Sequence, residues 1–166
     1  MQQHRVLSIV GAGGIGKTRL ALAVAARWRH DYADGVWWVD LSKFSQGDLV
    51  ACEVARVLGI ALSASRPAAE VVADALRPLS LLLVLDNCEH LLEAVATLVD
   101  AVSLAAPRVT LLSTTQEPLR TSTEHLYRLD VLGLAASSTL ADVADSGAAQ
   151  LFIARAKAAD PRFELQ

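Results

Sequence analysis

Residues 11–18, Gly-Ala-Gly-Gly-Ile-Gly-Lys-Thr, constrain this chain more than any other stretch. They follow a short β-rich run, Arg5–Val10 (RVLSIV). They precede a segment of helix formers, Lys17–His30 (KTRLALAVAARWRH), with an apolar stripe at Leu20, Val24 and Trp28. They fit the pattern G-x-x-x-x-G-K-[ST] at every fixed position, in the strand–loop–helix setting that the pattern requires. Each residue type answers a need of a bound polyphosphate. Gly11, Gly13, Gly14 and Gly16 permit positive φ and leave bare backbone N–H groups facing an anion. The helix that follows turns its positive end to the same point. Lys17 supplies a compact charge for the β- and γ-phosphates, and Thr18 a hydroxyl for Mg²⁺, which favours hard oxygen ligands. Ile15 and Arg19 complete the nucleotide-binding stretch. With Lys17 and Thr18 at the phosphate end, this is not a dinucleotide-binding fingerprint. Nor is any Asn/Thr-Lys-x-Asp guanine signature present, so the expected ligands are ATP or ADP with Mg²⁺.

The rest of the chain alternates strand-like and helix-like segments. Gly35–Asp40 (GVWWVD) reads as a second strand. Asp48–Leu58 reads as a helix stopped by Gly59, and Pro67–Arg77 as another ended by Pro78. Leu81–Asp86 (LLLVLD) is the most apolar strand and is expected at the centre. Glu89–Ala106 is a long helix ended by Pro107, Arg108–Ser113 a strand, and Glu124–Asp130 an alternating strand nearer the edge. Residues 134–147 read as a loop with a helical turn, and Ser146–Ala159 as a final helix. Strands separated by helices imply parallel crossovers. The expected fold is therefore α/β: a five-stranded, mostly parallel sheet sandwiched by helices in three layers, with ligands at the carboxyl ends of the strands. A length of 166 residues suits one nucleotide-binding domain over residues 1–166.

Composition narrows the function classes. Hydrophobic residues make up 53% of the chain. A sheet buried on both faces accounts for that, and so does a core subdomain whose neighbours lie elsewhere in a longer protein. The net charge of −3 gives no basic nucleic-acid footprint, so this domain is not expected to touch nucleic acid directly. No apolar run approaches the ~20 residues that span a bilayer, and no signal peptide is apparent. Cys52 and Cys88 have no metal-type spacing and read as small hydrophobes in a reducing cytoplasm, the expected location.

Asp86 closes the apolar strand and, with Thr18, is the candidate metal-side acid, orienting a water on Mg²⁺. Asn87 stands where many such ATPases carry a glutamate, and it cannot act as a base. Two readings stand for Glu89: activation of the attacking water, or an acid that favours a helix N-terminus. The catalytic candidates are thus Lys17, Asp86 and Glu89. His90 reads as a surface residue. Ser113, Thr114, Thr115 and Gln116 follow the next strand and are expected beside the γ-phosphate. They either sense it, with Thr115 and Gln116 among the nucleotide-binding candidates, or supply turn chemistry ahead of Pro118. Trp28, Trp37 and Trp38 read as packing residues.

The stretches VGAGGIGKTRLALAVA, LLLVLDNCEHLLEAV, LLSTTQEPLR and AAQLFIARA, in that order, resemble signalling ATPases of the STAND class. The chain looks most similar to the NB-ARC-like modules of large bacterial transcriptional regulators of the AfsR and LuxR types, over about residues 5–163. That resemblance implies a nucleotide switch with slow ATP hydrolysis and nucleotide-dependent oligomerisation. It also implies partner domains within a longer protein: a lid, a sensor region and an effector. It assigns Lys17 and Thr18 to phosphate and metal, and makes Asp86 the Walker B acid. Asn87 matches the family's habit. Gln116 departs from it, because the family usually carries an arginine there, and a glutamine lacks the charge that would hold a γ-phosphate. The family's Gly-Leu-Pro-Leu-type lid motif and its adenine-framing segment are not found, so the chain reads as the core subdomain. Two other classes remain open. One is a nucleotide-binding module that does not hydrolyse. The other is a P-loop kinase, for which Arg108, Arg120 and Arg128 form no obvious lid cluster.

Overall fold

The structure, a computed structural model, describes residues 4–130. Its elements in chain order are β1 (Val6–Val10), α1 (Lys17–Trp28), β2 (Val36–Asp40), α2 (Asp48–Leu58), α3 (Ala68–Leu76), β3 (Leu82–Asp86), α4 (Leu92–Ala105), β4 (Thr110–Thr115) and β5 (Glu124–Arg128). The strands form one sheet in the order β2-β3-β4-β1-β5, and every neighbouring pair is parallel. The expected α/β architecture is therefore present, and among the described residues the sheet is wholly parallel. β5 takes an edge, as its alternating pattern predicts. β3 is interior, but β4 rather than β3 holds the middle place. The expected loop at 134–147 and helix at 146–159 lie outside the described residues.

Period-two alternation divides the core between the two faces of the sheet. On β3, Leu83 and Leu85 join Val39, Val54, Val72, Leu76, Val95, Leu98 and Val102 in a cluster covered by α2, α3 and α4. Leu82 and Val84 point the other way, with Ile9, Leu112 and the α1 residues Ala21 and Ala25. These β3 leucines are fully buried, and each contributes roughly 1.5–3 kcal/mol relative to exposure. Trp37 packs against the first cluster, and Trp38 and Trp28 against the second, so all three tryptophans are packing residues. The continuous apolar run of β3 is the sequence consequence of burial on both faces.

Several boundaries shift by one to three residues from the sequence expectation, and two of the shifts bear on the site. β4 continues through Thr115 instead of ending at Ser113. Thr114 and Thr115 pair with Ile9 and Val10 of β1 and are buried, their hydroxyls satisfied by hydrogen bonds. α4 starts at Leu92, not Glu89. Residues 87–91 form a turn instead, opened by Asn87 in the left-handed region at φ 67° and closed by the Leu91 N–H donating to Cys88 O at 2.9 Å. Asn tolerates that conformation better than most residues because its short amide hydrogen-bonds locally. Among the described residues, no helix is long and apolar enough to cross a membrane.

Candidate functional site

The carboxyl ends of β1, β3 and β4 bring the candidate residues to one edge of the sheet. The loop after β1 is tied to β4 by the Gly11 N–H donating to Thr115 O at 3.2 Å. Gly11 cannot carry a side chain here, because a Cβ would lie 2.9 Å from Leu129 O and 3.2 Å from Ile15 Cγ2. Gly14 (φ 76°) and Gly16 (φ 107°) are left-handed, and a Cβ on either would meet nothing within 4 Å, so it is backbone conformation, not crowding, that calls for glycine at these two positions. Gly16 caps α1 without a side-chain hydrogen bond. The N–H groups of Gly13, Gly14, Gly16, Lys17 and Thr18 meet no acceptor among the described residues. Unpaired donors at a helix N-terminus, with the helix dipole behind them, make an anion cradle.

Lys17 is buried, and its Nζ donates to Gly11 O at 2.9 Å and Ala12 O at 3.0 Å. The ammonium is thereby held inside the loop, with a third proton to donate. Thr18 Oγ1 donates to the Asp86 carboxylate, 2.9 Å from Oδ1 and 3.2 Å from Oδ2. Asp86 is itself buried at the end of β3. Ile15 is half-buried under the loop, and Arg19 is exposed on the first turn of α1.

Of the residues expected to follow β4, each finds a different partner. Ser113 Oγ pairs with Ser8 Oγ at 2.7 Å inside the sheet. Thr114 Oγ1 donates to Asp86 Oδ1 at 2.5 Å. Thr115 Oγ1 donates to Glu117 O at 2.8 Å, shaping the turn beyond the strand. Each hydroxyl has one proton to give; those of Thr114 and Thr115 are committed within the protein, and Ser113 is paired with Ser8. Gln116 differs. Its Nε2 donates to Glu89 Oε1 at 3.0 Å and lies 3.9 Å from where a Cβ on Gly13 would sit. Gln116 and Glu89 are thus brought together over the phosphate loop. Among the described residues, Glu89 Oε2 is buried and has no hydrogen-bond partner. Because Glu89 precedes α4, the first-turn acid of that helix is Glu93.

His90 lies apart from the loop, its Nε2 3.1 Å from Leu41 O and 2.5 Å from Phe44 O. Donation to carbonyls requires the proton on Nε2, and the ring pins the segment after β2. Burial pushes the Cys88 thiol up, with the charges of Asp86 and Glu89 adding to the effect, so it stays neutral as a core residue. Cys52 is half-buried on α2, its Sγ near Asp48 O. The contact missed in the sequence is Thr114 to Asp86. Its signal was a β-branched residue one step beyond the Leu85–Ser113 pair, opposite the strand's terminal acid.

A glycine loop on a helix N-terminus, at the carboxyl ends of a parallel sheet, with Lys, Thr and a strand-end Asp converging on it, defines a P-loop nucleotide-binding domain. Residues 1–116 match the NB-ARC domain, and the chain belongs to that family. Proteins from Mycobacterium tuberculosis and Mycobacterium bovis named as HTH-type transcriptional regulators are 32% identical over 165 residues. That alignment takes in 99% of this chain and 17% of theirs. An uncharacterized Mycobacterium tuberculosis protein is 31% identical over 157 residues, 95% of this chain and 37% of its own. The chain thus spans well under half the length of these relatives. Among solved structures, Cdc6p from Pyrobaculum aerophilum superposes with a TM-score of 0.56 at 16% identity, covering 76% of this chain and 39% of that one. The ORC2 protein of Aeropyrum pernix, solved in ADPNP–ADP complexes, gives 0.50 at 16% identity, covering 75% and 41%. At such identity the likeness is one of fold.

The residues present fit a nucleoside polyphosphate with Mg²⁺. Unpaired amides and a buried ammonium surround the open loop. The paired oxygens of Thr18 and Asp86 are hard donors of the kind Mg²⁺ prefers.

Proposed function

We propose that this domain binds ATP and ADP with Mg²⁺ and hydrolyses ATP slowly, serving as the nucleotide switch of a cytoplasmic transcriptional or signalling regulator. The observation that carries this reading is the direct Thr18–Asp86 contact beside a loop of unpaired amides. That contact puts a hydroxyl and a carboxylate together at the mouth of the anion cradle. In this reading the amides of residues 13–18 and the Lys17 ammonium bind the phosphates. Thr18 and Asp86 hold the metal, which when bound neutralises charge on the β- and γ-phosphate oxygens. Glu89 orients or deprotonates the attacking water, and Gln116 meets the terminal phosphate from β4. Thr115 serves by shaping the turn that presents Gln116.

The relatives' HTH names and much greater lengths support a role within a larger regulator. Its lid, sensor and effector parts would read the nucleotide state, with nucleotide-dependent oligomerisation as an output. Contact with DNA falls to an effector, consistent with the acidic balance of this chain.

A second reading, nucleotide binding without turnover, is favoured by one feature: Glu89 is tied to Gln116 rather than free to meet water. Release of inorganic phosphate from Mg-ATP separates the two. The switch reading expects slow release that Glu89→Gln lowers by about 100-fold or more, the usual contribution of a general base. Release no higher than that of a Lys17→Ala blank would leave the non-hydrolysing reading in its place.

A further inference from the structure

Thr114 makes contacts that a packing residue in a parallel strand does not need. Its Oγ1 donates to Asp86 Oδ1 at 2.5 Å and accepts the Asn87 N–H at 2.9 Å, while its carbonyl accepts the Cys88 N–H at 2.9 Å. One residue of β4 therefore holds three consecutive residues at the end of β3. The hydroxyl is buried, so water cannot replace it. Asp86 Oδ1 receives protons from both Thr114 and Thr18, at 2.5 and 2.9 Å. Among the described residues, Oδ2 receives only the longer Thr18 contact, at 3.2 Å. The carboxylate is thereby fixed in rotation, and Oδ2 keeps most of its acceptor capacity for another partner. The same hydroxyl anchors the left-handed Asn87, from which the chain turns toward Glu89.

We propose that Thr114 is a positioning residue for the metal side of the site: it orients the Asp86 carboxylate through Oδ1 so that Oδ2 is presented toward Mg²⁺. The inference rests on the reading that Thr18 and Asp86 serve the metal. Partners that orient metal-binding carboxylates typically carry about 10–100-fold of metal affinity. Thr114 then acts on the metal without touching the phosphates, which distinguishes it from Lys17 and Gln116.

The test uses the full chain and a fluorescent ATP analogue. Its affinity is measured in EDTA and across a MgCl₂ titration, for wild type, Thr114→Val, Thr114→Ser and Asp86→Asn. The expected result is that Thr114→Val raises the Mg²⁺ concentration for half-maximal tightening by at least 10-fold, with affinity in EDTA unchanged. Thr114→Ser, which keeps the hydroxyl, restores the wild-type titration. If Thr114→Val does not give a folded protein, Thr114→Ala carries the same comparison. An unshifted Mg²⁺ titration in Thr114→Val, with a clear shift in Asp86→Asn, overturns the role of Thr114 and leaves the metal site standing. A Thr114→Ser shift as large as that of Thr114→Val also overturns it. No shift in Asp86→Asn overturns the metal reading itself.

Discussion

Replacing Gln116 by arginine tests how the site reads the terminal phosphate. Gln116 Nε2 stands over Gly13 and donates to Glu89 Oε1 at 3.0 Å. A guanidinium that reached the γ-phosphate would add a charged hydrogen bond of about 1.5–3 kcal/mol, or roughly 10- to 150-fold in preference for ATP over ADP. Glu89 competes for it. A guanidinium can take both carboxylate oxygens at once, including Oε2, which is buried without a partner among the described residues. At an effective dielectric near 20 such a pair is worth about 4 kcal/mol of Coulomb energy at 4 Å, comparable to the gain at the phosphate. Gln116→Arg alone should therefore raise the ATP/ADP affinity ratio by no more than about 10-fold, the low end of that range. Gln116→Arg combined with Glu89→Gln should reach the upper part of it. Dissociation constants for ATP and ADP in the four proteins of the cycle, all with Mg²⁺, give the ratios directly. Unchanged ratios in both the single and the double variant would show that position 116 does not read the γ-phosphate.

Two further predictions concern the frame of the site. Asn87 has φ 67°, so Asn87→Gly should keep wild-type stability. Asn87→Glu should cost about 1–2 kcal/mol, the usual cost of the left-handed region for an ordinary residue. Urea unfolding that finds Asn87→Glu as stable as Asn87→Gly would refute the conformational argument. The Ser42 backbone N–H, and then the Ser42 side chain, hold the Asp40 carboxyl below its ordinary value of 3.8. A lowered carboxyl stabilises the fold above its unfolded pKa, and that stability is lost as pH falls through the folded one. The gap in thermal midpoint between wild type and Asp40→Asn should thus be open at neutral pH and narrow only once pH has fallen below the ordinary value of 3.8; a gap independent of pH would contradict the assignment.

The legible parts of this chain were those in which sequence pattern and physics have one meaning. Residues 11–18 fix a loop that only glycines can make, and β3 announces burial on both faces by its unbroken apolar run. The stops at Gly59 and after Leu76 likewise follow from backbone chemistry. What was not legible lay where polar side chains are buried by specific partners. Thr114 and Thr115 looked like the end of a strand because their hydroxyls are polar. They belong to β4 because Asp86 and Glu117 take their protons. Residues 89–91 look helical by composition, yet the left-handed Asn87 and the Cys88–Leu91 turn delay α4 to Leu92. That delay separates Glu89 from the helix and lets it meet Gln116, a pairing across two strand ends that sequence spacing does not encode.

The central claim is that residues 11–18, Lys17 above all, form a working nucleotide site. Calorimetric titration of the chain with ATP and with ADP, in the presence of Mg²⁺, tests it most directly when repeated on Lys17→Ala. Among the described residues the buried Lys17 ammonium donates to Gly11 O and Ala12 O, two carbonyls left on a loop that meets solvent, so its loss should cost folding stability no more than about 3 kcal/mol. Two lost phosphate contacts of about 1.5–3 kcal/mol each should weaken nucleotide binding by 100-fold or more. The account predicts micromolar binding in the wild type and none measurable in a folded Lys17→Ala protein. Undiminished ATP affinity in that variant would contradict it.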